Sequence, residues 1–295
     1  MEQVLKLPIL DLSSPDRSSI ANCLRQEELI EQVLDESSKF FSLPLEEKMK
    51  LLRKGYRGYT PLFAEKSDPQ STSKGDSKES YSIGPLENMN QWPSQGTLVN
   101  VFHIPCKSST EILPCWRATM ESFYSKILSA GKRLLSLVAL ALNLNEDFFE
   151  TTGALDRPTA VLRLLHYPAG EFGSSDEEIL GASAHSDYGM VTLLICREKS
   201  KQPLVWEDVP HINGAFIVNI GDMMERWTNC LLRSTLHRVI PCGQERYSLA
   251  FFLDPNEDCV VECIESCCNE SSTPRFPPIR SGDYLKERLR LIWGS

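Results

Sequence analysis

His185 and Asp187, in the run GASAHSDYGM, and His237, in STLHRVI, offer two imidazole nitrogens and a carboxylate oxygen, donor types that a divalent transition metal takes. His185 and Asp187 stand two residues apart, so in an extended strand both side chains project from one face. A third ligand has to come from a distant strand, and among the five histidines His237, in apolar β-branched surroundings, is the best remaining candidate. Two imidazoles and one carboxylate leave three positions of an octahedral Fe(II) open, enough for a bidentate cosubstrate and for O2, which a closed four-ligand zinc site does not offer. Taken alone, an H-x-D pair is more often a strand-end histidine followed by a turn aspartate, so the downstream residues decide.

In RYSLAFFLD, Arg246 and Ser248 again lie two apart on one strand face. A guanidinium can pair bidentately with a distal carboxylate while a serine hydroxyl donates another hydrogen bond, which offsets the cost of desolvating that charge. Phe252 shares their face and is a candidate substrate wall. His166 points to the opposite face, His103 and His211 read as loop histidines, and Asp222, in NIGDMM, reads as a turn residue ahead of a strand or helix.

These residues need elements to hold them. The chain opens on the strand-like LPILDLS, and SSIANCLRQ and EELIEQVLDESSKFF both read as helical, but their apolar stripes do not join, which predicts a break at Gln26–Glu27. Lys54 to Gln95 reads as loop, rich in Gly, Pro and Ser, with Tyr56, Tyr59 and Tyr81 as a plausible binding wall. Leu113 to Leu142 shows sustained helical spacing. Beyond Pro158 come short strand-like runs, AVLRLLHYP, GMVTLLIC, PLVWED, AFIVNIGD, LLRSTLHRVI and RYSLAFFLD, the pattern of a sandwich or jelly roll. A short basic helix, DYLKERLRL, closes the chain and is available for packing on the sheet or for self-association.

The formal net charge of -9, with basic and acidic residues interleaved, leaves no footprint for nucleic acid. No signal peptide and no apolar run of membrane-spanning length is evident, so the cytoplasm is the expected compartment, with the nucleus as an alternative, and no membrane partner is expected. The ten cysteines are therefore expected to be reduced thiols, and DCVVECIESCCNE lacks the knuckles of a zinc site.

Taken together and in order, PILDLS, FFSLPLEEK, RLLHYP, HSDYGMVTLL, VNIGDMMERWTN, STLHRV and RYSLAFFLDP make the chain resemble the 2-oxoglutarate- and Fe(II)-dependent dioxygenases of the isopenicillin N synthase-like family over nearly its whole length. The resemblance implies a mainly β fold with flanking helices: a double-stranded β-helix, or jelly-roll core, with N-terminal helices and a long central helix. It implies an N-terminal region over residues 1–110, a helical segment over 111–150, the oxygenase core over 155–258 and a tail over 259–295. His185, Asp187 and His237 become the catalytic iron ligands, Arg246 and Ser248 the clamp for the C5 carboxylate of 2-oxoglutarate, and Tyr167 its support. Tyr56, Tyr59, Lys78 and Tyr81 fall on substrate-facing segments.

The implied reaction is hydroxylation, demethylation or desaturation of a small organic metabolite by a monomer, with O2 and 2-oxoglutarate consumed, succinate and CO2 released and ascorbate as a candidate reductant. The alternatives are a family oxidase that does not use 2-oxoglutarate and a catalytically impaired shortened isoform. Three departures stand out. Leu165 replaces a common Asn, Ser186 replaces a common Thr, and at Gln26–Glu27 the family's Gly-Phe-Phe strand and Asn-His-Gly turn are missing, which removes a strand from the sheet edge.

Overall fold

The computed structural model describes residues 17–67, 75–86, 90–93, 113–170, 180–196, 215–240, 243–268 and 272–293. LPILDLS, PLVWED, His103 and His211 lie outside the described residues. Strands β1 (Gly58–Thr60), β2 (Glu79–Ile83), β3 (Thr159–Tyr167), β5 (Val191–Cys196), β6 (Ile217–Ile220) and β8 (Arg246–Asp254) form one antiparallel sheet in the order β1-β2-β3-β8-β5-β6. A two-stranded ribbon pairs β4 (Ala182–His185) with β7 (His237–Val239), and another pairs β9 (Val260–Val261) with β10 (Ile279–Arg280).

Nine residues of β3 pair with nine of β8, and strict alternation sorts their side chains onto two faces. Ala160, Leu162, Leu164, Leu249, Phe251 and Leu253 take one face and join the main core. Against it pack helix α1 (Arg17–Phe41) and the long helix α3 (Trp116–Ala141), whose buried Trp116, Met120, Phe123, Ile127 and Leu135 follow helical spacing. Gly131 is what lets α3 approach β8: a Cβ there would lie 2.8 Å from Leu253 Cδ2. On the other face Leu165, Tyr167, Ala250 and Phe252 form a second apolar cluster with Leu194 of β5 and Val239 of β7, so the ribbon that carries both histidines sits over this face.

Helices α2 (Leu45–Met49), α4 (Phe148–Thr151), α5 (Asp222–Trp227) and α6 (Ser281–Trp293), with a short 3-10 turn at Glu265–Cys267, complete the described elements, and none of the described helices is long and apolar enough to cross a membrane. Four expectations are corrected. The backbone is helical through Gln26–Glu27, because a slip in apolar phase removes no backbone hydrogen bond and neither Gly nor Pro interrupts the run. The stretch expected to be loop contains the edge strand β1 and its neighbour β2, both too short to show a period. Of LLRSTLHRVI only His237–Val239 is strand. Cys263 and Cys268 are not free thiols: their sulfurs are bonded to each other across a tight turn.

Candidate metal centre

His185 ends β4 and faces His237, the first residue of β7, as its direct cross-strand partner, with ring centroids 4.3 Å apart. The Nδ1 of His185 lies 2.7 Å from the Ser183 carbonyl and that of His237 lies 2.9 Å from the Thr235 carbonyl. A carbonyl only accepts, so each Nδ1 carries the proton and donates it, and each Nε2 keeps a lone pair for a metal. Asp187 arrives differently from the expectation of a shared strand face: the strand stops at His185, and Asp187 stands in the turn that follows. Its Oδ1 lies 3.9 Å from His185 Nε2 and 3.7 Å from His237 Nε2, and one donor atom from each of the three residues falls within 4.8 Å of the others.

Asp187 is buried, and its Oδ2 is fully enclosed with no hydrogen-bond partner. An enclosed carboxylate oxygen without a donor costs several kcal/mol unless a cation compensates it, so the donor set fits a divalent metal. Burial lowers the pKa of His185, and the neighbouring His237 lowers it further against the pull of Asp187, which keeps that imidazole in its neutral, ligating form. Burial and the Asp187 charge push Asp254 up to about 7.

Tyr167 and Arg246 are cross-strand partners at the mouth of the β3–β8 pair, and the guanidinium carbon lies 4.2 Å from the Tyr167 ring centroid. Ser248, buried on the same face, donates to the Ile195 carbonyl at 2.9 Å. Phe252 lies further along this face, with Arg163 over its ring at 5.9 Å.

Register moves two of the tyrosines away from this face. Tyr59 pairs with Tyr81 and Tyr81 with Leu164, which places both on the helix side, where Phe40 and Trp116 enclose them. Their hydroxyls are spent on Glu79 and on the Gln91 carbonyl. Thr60, Ser80 and Ser82 occupy the pocket-side positions instead. Tyr56 stacks with Arg57 at a turn. His166 is on the helix side as expected, between Glu79 and Glu245.

A buried ion cluster stands beside the site, and of its members the sequence had singled out only Lys78, which pairs with Asp76 instead of facing a substrate. Asp76 Oδ1 accepts from the Ser183 backbone N–H at 3.0 Å and its hydroxyl at 2.9 Å, while Oδ2 accepts from Lys78 at 2.8 Å and from Ser67. Glu65 joins Arg163 at 2.9 Å. Burial pushes both carboxyls up, but these cations pull harder, and both end below the ordinary carboxylate range. The alternation of charge and small residues in GDSKES was the available signal.

Residues 158–255 match the model of the 2OG-Fe(II) oxygenase superfamily, and residues 19–95 match that of the non-haem dioxygenase N-terminal region in morphine synthesis. Kihadalactone A synthase LFS of Citrus sinensis is 37% identical over 98% of this chain and 93% of its own length. Azadirone synthase LFS of Melia azedarach is 33% identical over 99% and 94%. The first alignment runs over 319 positions against 295 residues here, so that relative has residues without a counterpart in this chain. Among solved structures, a full-length Neurospora crassa protein in complex with alpha-KG (2-oxoglutarate) and thymine superposes with a TM-score of 0.74 at 28% identity, covering 89% of this chain and 83% of that one.

Proposed function

Because this chain belongs to the 2-oxoglutarate- and Fe(II)-dependent oxygenase superfamily, we propose that His185, Asp187 and His237 hold its iron, and that Arg246, Ser248 and Tyr167 hold its 2-oxoglutarate. The observation that carries this reading is the convergence of two Nε2 lone pairs on a buried carboxylate whose second oxygen has no partner. Bound iron supplies oxygen activation, coupled to conversion of 2-oxoglutarate and O2 into succinate and CO2, which makes an otherwise inert C–H bond reactive. The chain contributes position and dryness. Arg246, held over the Tyr167 ring, presents its N–H fork to the C5 carboxylate, and Ser248 turns its hydroxyl from the Ile195 carbonyl to the same group. Leu165, Leu194, Val239, Ala250 and Phe252 exclude water around the cosubstrate.

The substrate lies beyond, against Phe252 and the row of small hydroxylated residues Thr60, Ser80 and Ser82. Two relatives that cover this chain almost completely are named for making kihadalactone A and azadirone, which supports a plant metabolite as substrate. The sheet arrangement supports a double-stranded β-helix, and the surplus of aligned positions in a relative supports a chain shortened by one edge strand. Release of succinate from 2-oxoglutarate, screened against a library of small plant metabolites with Fe(II) and O2, tests the assignment. Succinate should appear in step with an oxidised product; substrate oxidation with no 2-oxoglutarate consumed would overturn it in favour of an oxidase.

A further inference from the structure

We propose that the C-terminal helix α6 is a strut for the metal centre: Tyr284 and Arg288 hold Asp222, and through it the turn that presents Asp187. The proposal rests on the assignment of the triad above. Three consecutive backbone N–H groups at the start of α5 are bonded to that turn: Gly221 to the Met190 carbonyl at 3.0 Å, Asp222 to the Asp187 carbonyl at 2.8 Å and Met223 to the Gly189 carbonyl at 2.9 Å. The approach has no slack, since a Cβ on Gly221 would stand 2.4 Å from the Gly189 oxygen. A shift of Asp222 is therefore a shift of Asp187.

Asp222 is fixed from outside. Its Oδ2 accepts from the Tyr284 hydroxyl at 2.6 Å and lies 3.9 Å from the Arg288 guanidinium. Arg288 also lies over the ring of Tyr188, the neighbour of Asp187, at 4.8 Å. Two routes thus run from α6 to one ligand, one through a carboxylate and one through an aromatic face. The root of α6 is anchored independently, by Ser281 N–H to the Cys259 carbonyl and Gly282 N–H to the Glu257 carbonyl, both at 2.9 Å. Removing the two side-chain contacts leaves the helix attached.

Tyr284 and Arg288 are positioning residues, so the readout is the geometry of the metal, not turnover. Co(II) is titrated into the full chain and followed by its d–d absorption, for wild type, Tyr284→Phe and Tyr284→Phe/Arg288→Gln. The double variant should bind Co(II) about tenfold more weakly, with an altered spectrum, as loss of an outer hydrogen-bond layer does. Asp222→Asn, whose amide oxygen still accepts from Tyr284, should lose less than Asp222→Ala. Wild-type affinity and spectrum in both Tyr284 variants, whatever their melting temperatures, would overturn the strut. Wild-type Co(II) binding by His237→Ala would instead overturn the triad assignment, and the strut with it.

Discussion

Asp76 and Asp187 are both buried carboxylates set against the same ribbon, one bonded to Ser183 of β4 and the other just past its end, yet they are finished in opposite ways. Asp76 collects hydrogen bonds from Lys78, Ser67 and Ser183, and its charge is cancelled within the protein. Asp187 faces the Nε2 edges of two imidazoles and keeps one oxygen with no donor at all. A satisfied buried charge holds architecture together. An unsatisfied one beside two lone pairs is a place reserved for a cation, and the cost of leaving it open is met by the surrounding fold.

Substitution should separate the two. Asp187→Ala removes a ligand and should lower succinate formation by more than about 1,000-fold, while the metal-free protein melts no lower than wild type, because an unpaired buried charge has gone. Turnover within tenfold of wild type would break the assignment. Asp76→Ala leaves buried Lys78 with only the more distant Glu65 carboxylate to balance its charge and should cost about 3–5 kcal/mol in urea unfolding. A stability loss below 1 kcal/mol would show that the cluster does not brace the ribbon. Next in size, Arg246→Ala should raise the KM for 2-oxoglutarate about 10- to 100-fold and leave Co(II) affinity unchanged, with Arg246→Lys recovering part of the loss. A KM unmoved by either change would remove the carboxylate clamp.

The two carboxylates also differ in how far the sequence revealed them. The triad could be read because its residue types are rare and its neighbours, Arg246 and Ser248, keep the spacing of one strand face. The β3 and β8 runs were legible for the same reason: nine alternating residues average out local noise. Asp187 reached the site by a turn that no period describes. Tyr59 and Tyr81 were misplaced because β1 and β2 are short, and a slip of one position exchanges pocket for core. Asp76 and Lys78 share one segment, but Glu65 and Arg163 come from others and the four meet only in three dimensions, so the charge alternation in GDSKES was too ordinary a pattern to single out a buried ion cluster.

Asp254 extends the contrast to a gentler effect. Burial, reinforced by the Asp187 charge, puts it up to about 7 in the folded protein, above the ordinary 3.8. Between those values the folded state keeps a proton that the unfolded chain has released. Its share of stability is therefore full below pH 4, falls as pH rises toward 7, and is flat beyond, with a slope of at most about 1.4 kcal/mol per pH unit. Asp254→Asn carries no such proton. The difference in unfolding free energy between the metal-free variant and metal-free wild type should swing toward the variant from pH 4 to pH 7 and then level off. A difference constant across that range would mean that Asp254 ionises as a solvated carboxyl does, and that the charge at Asp187 reaches it only through water.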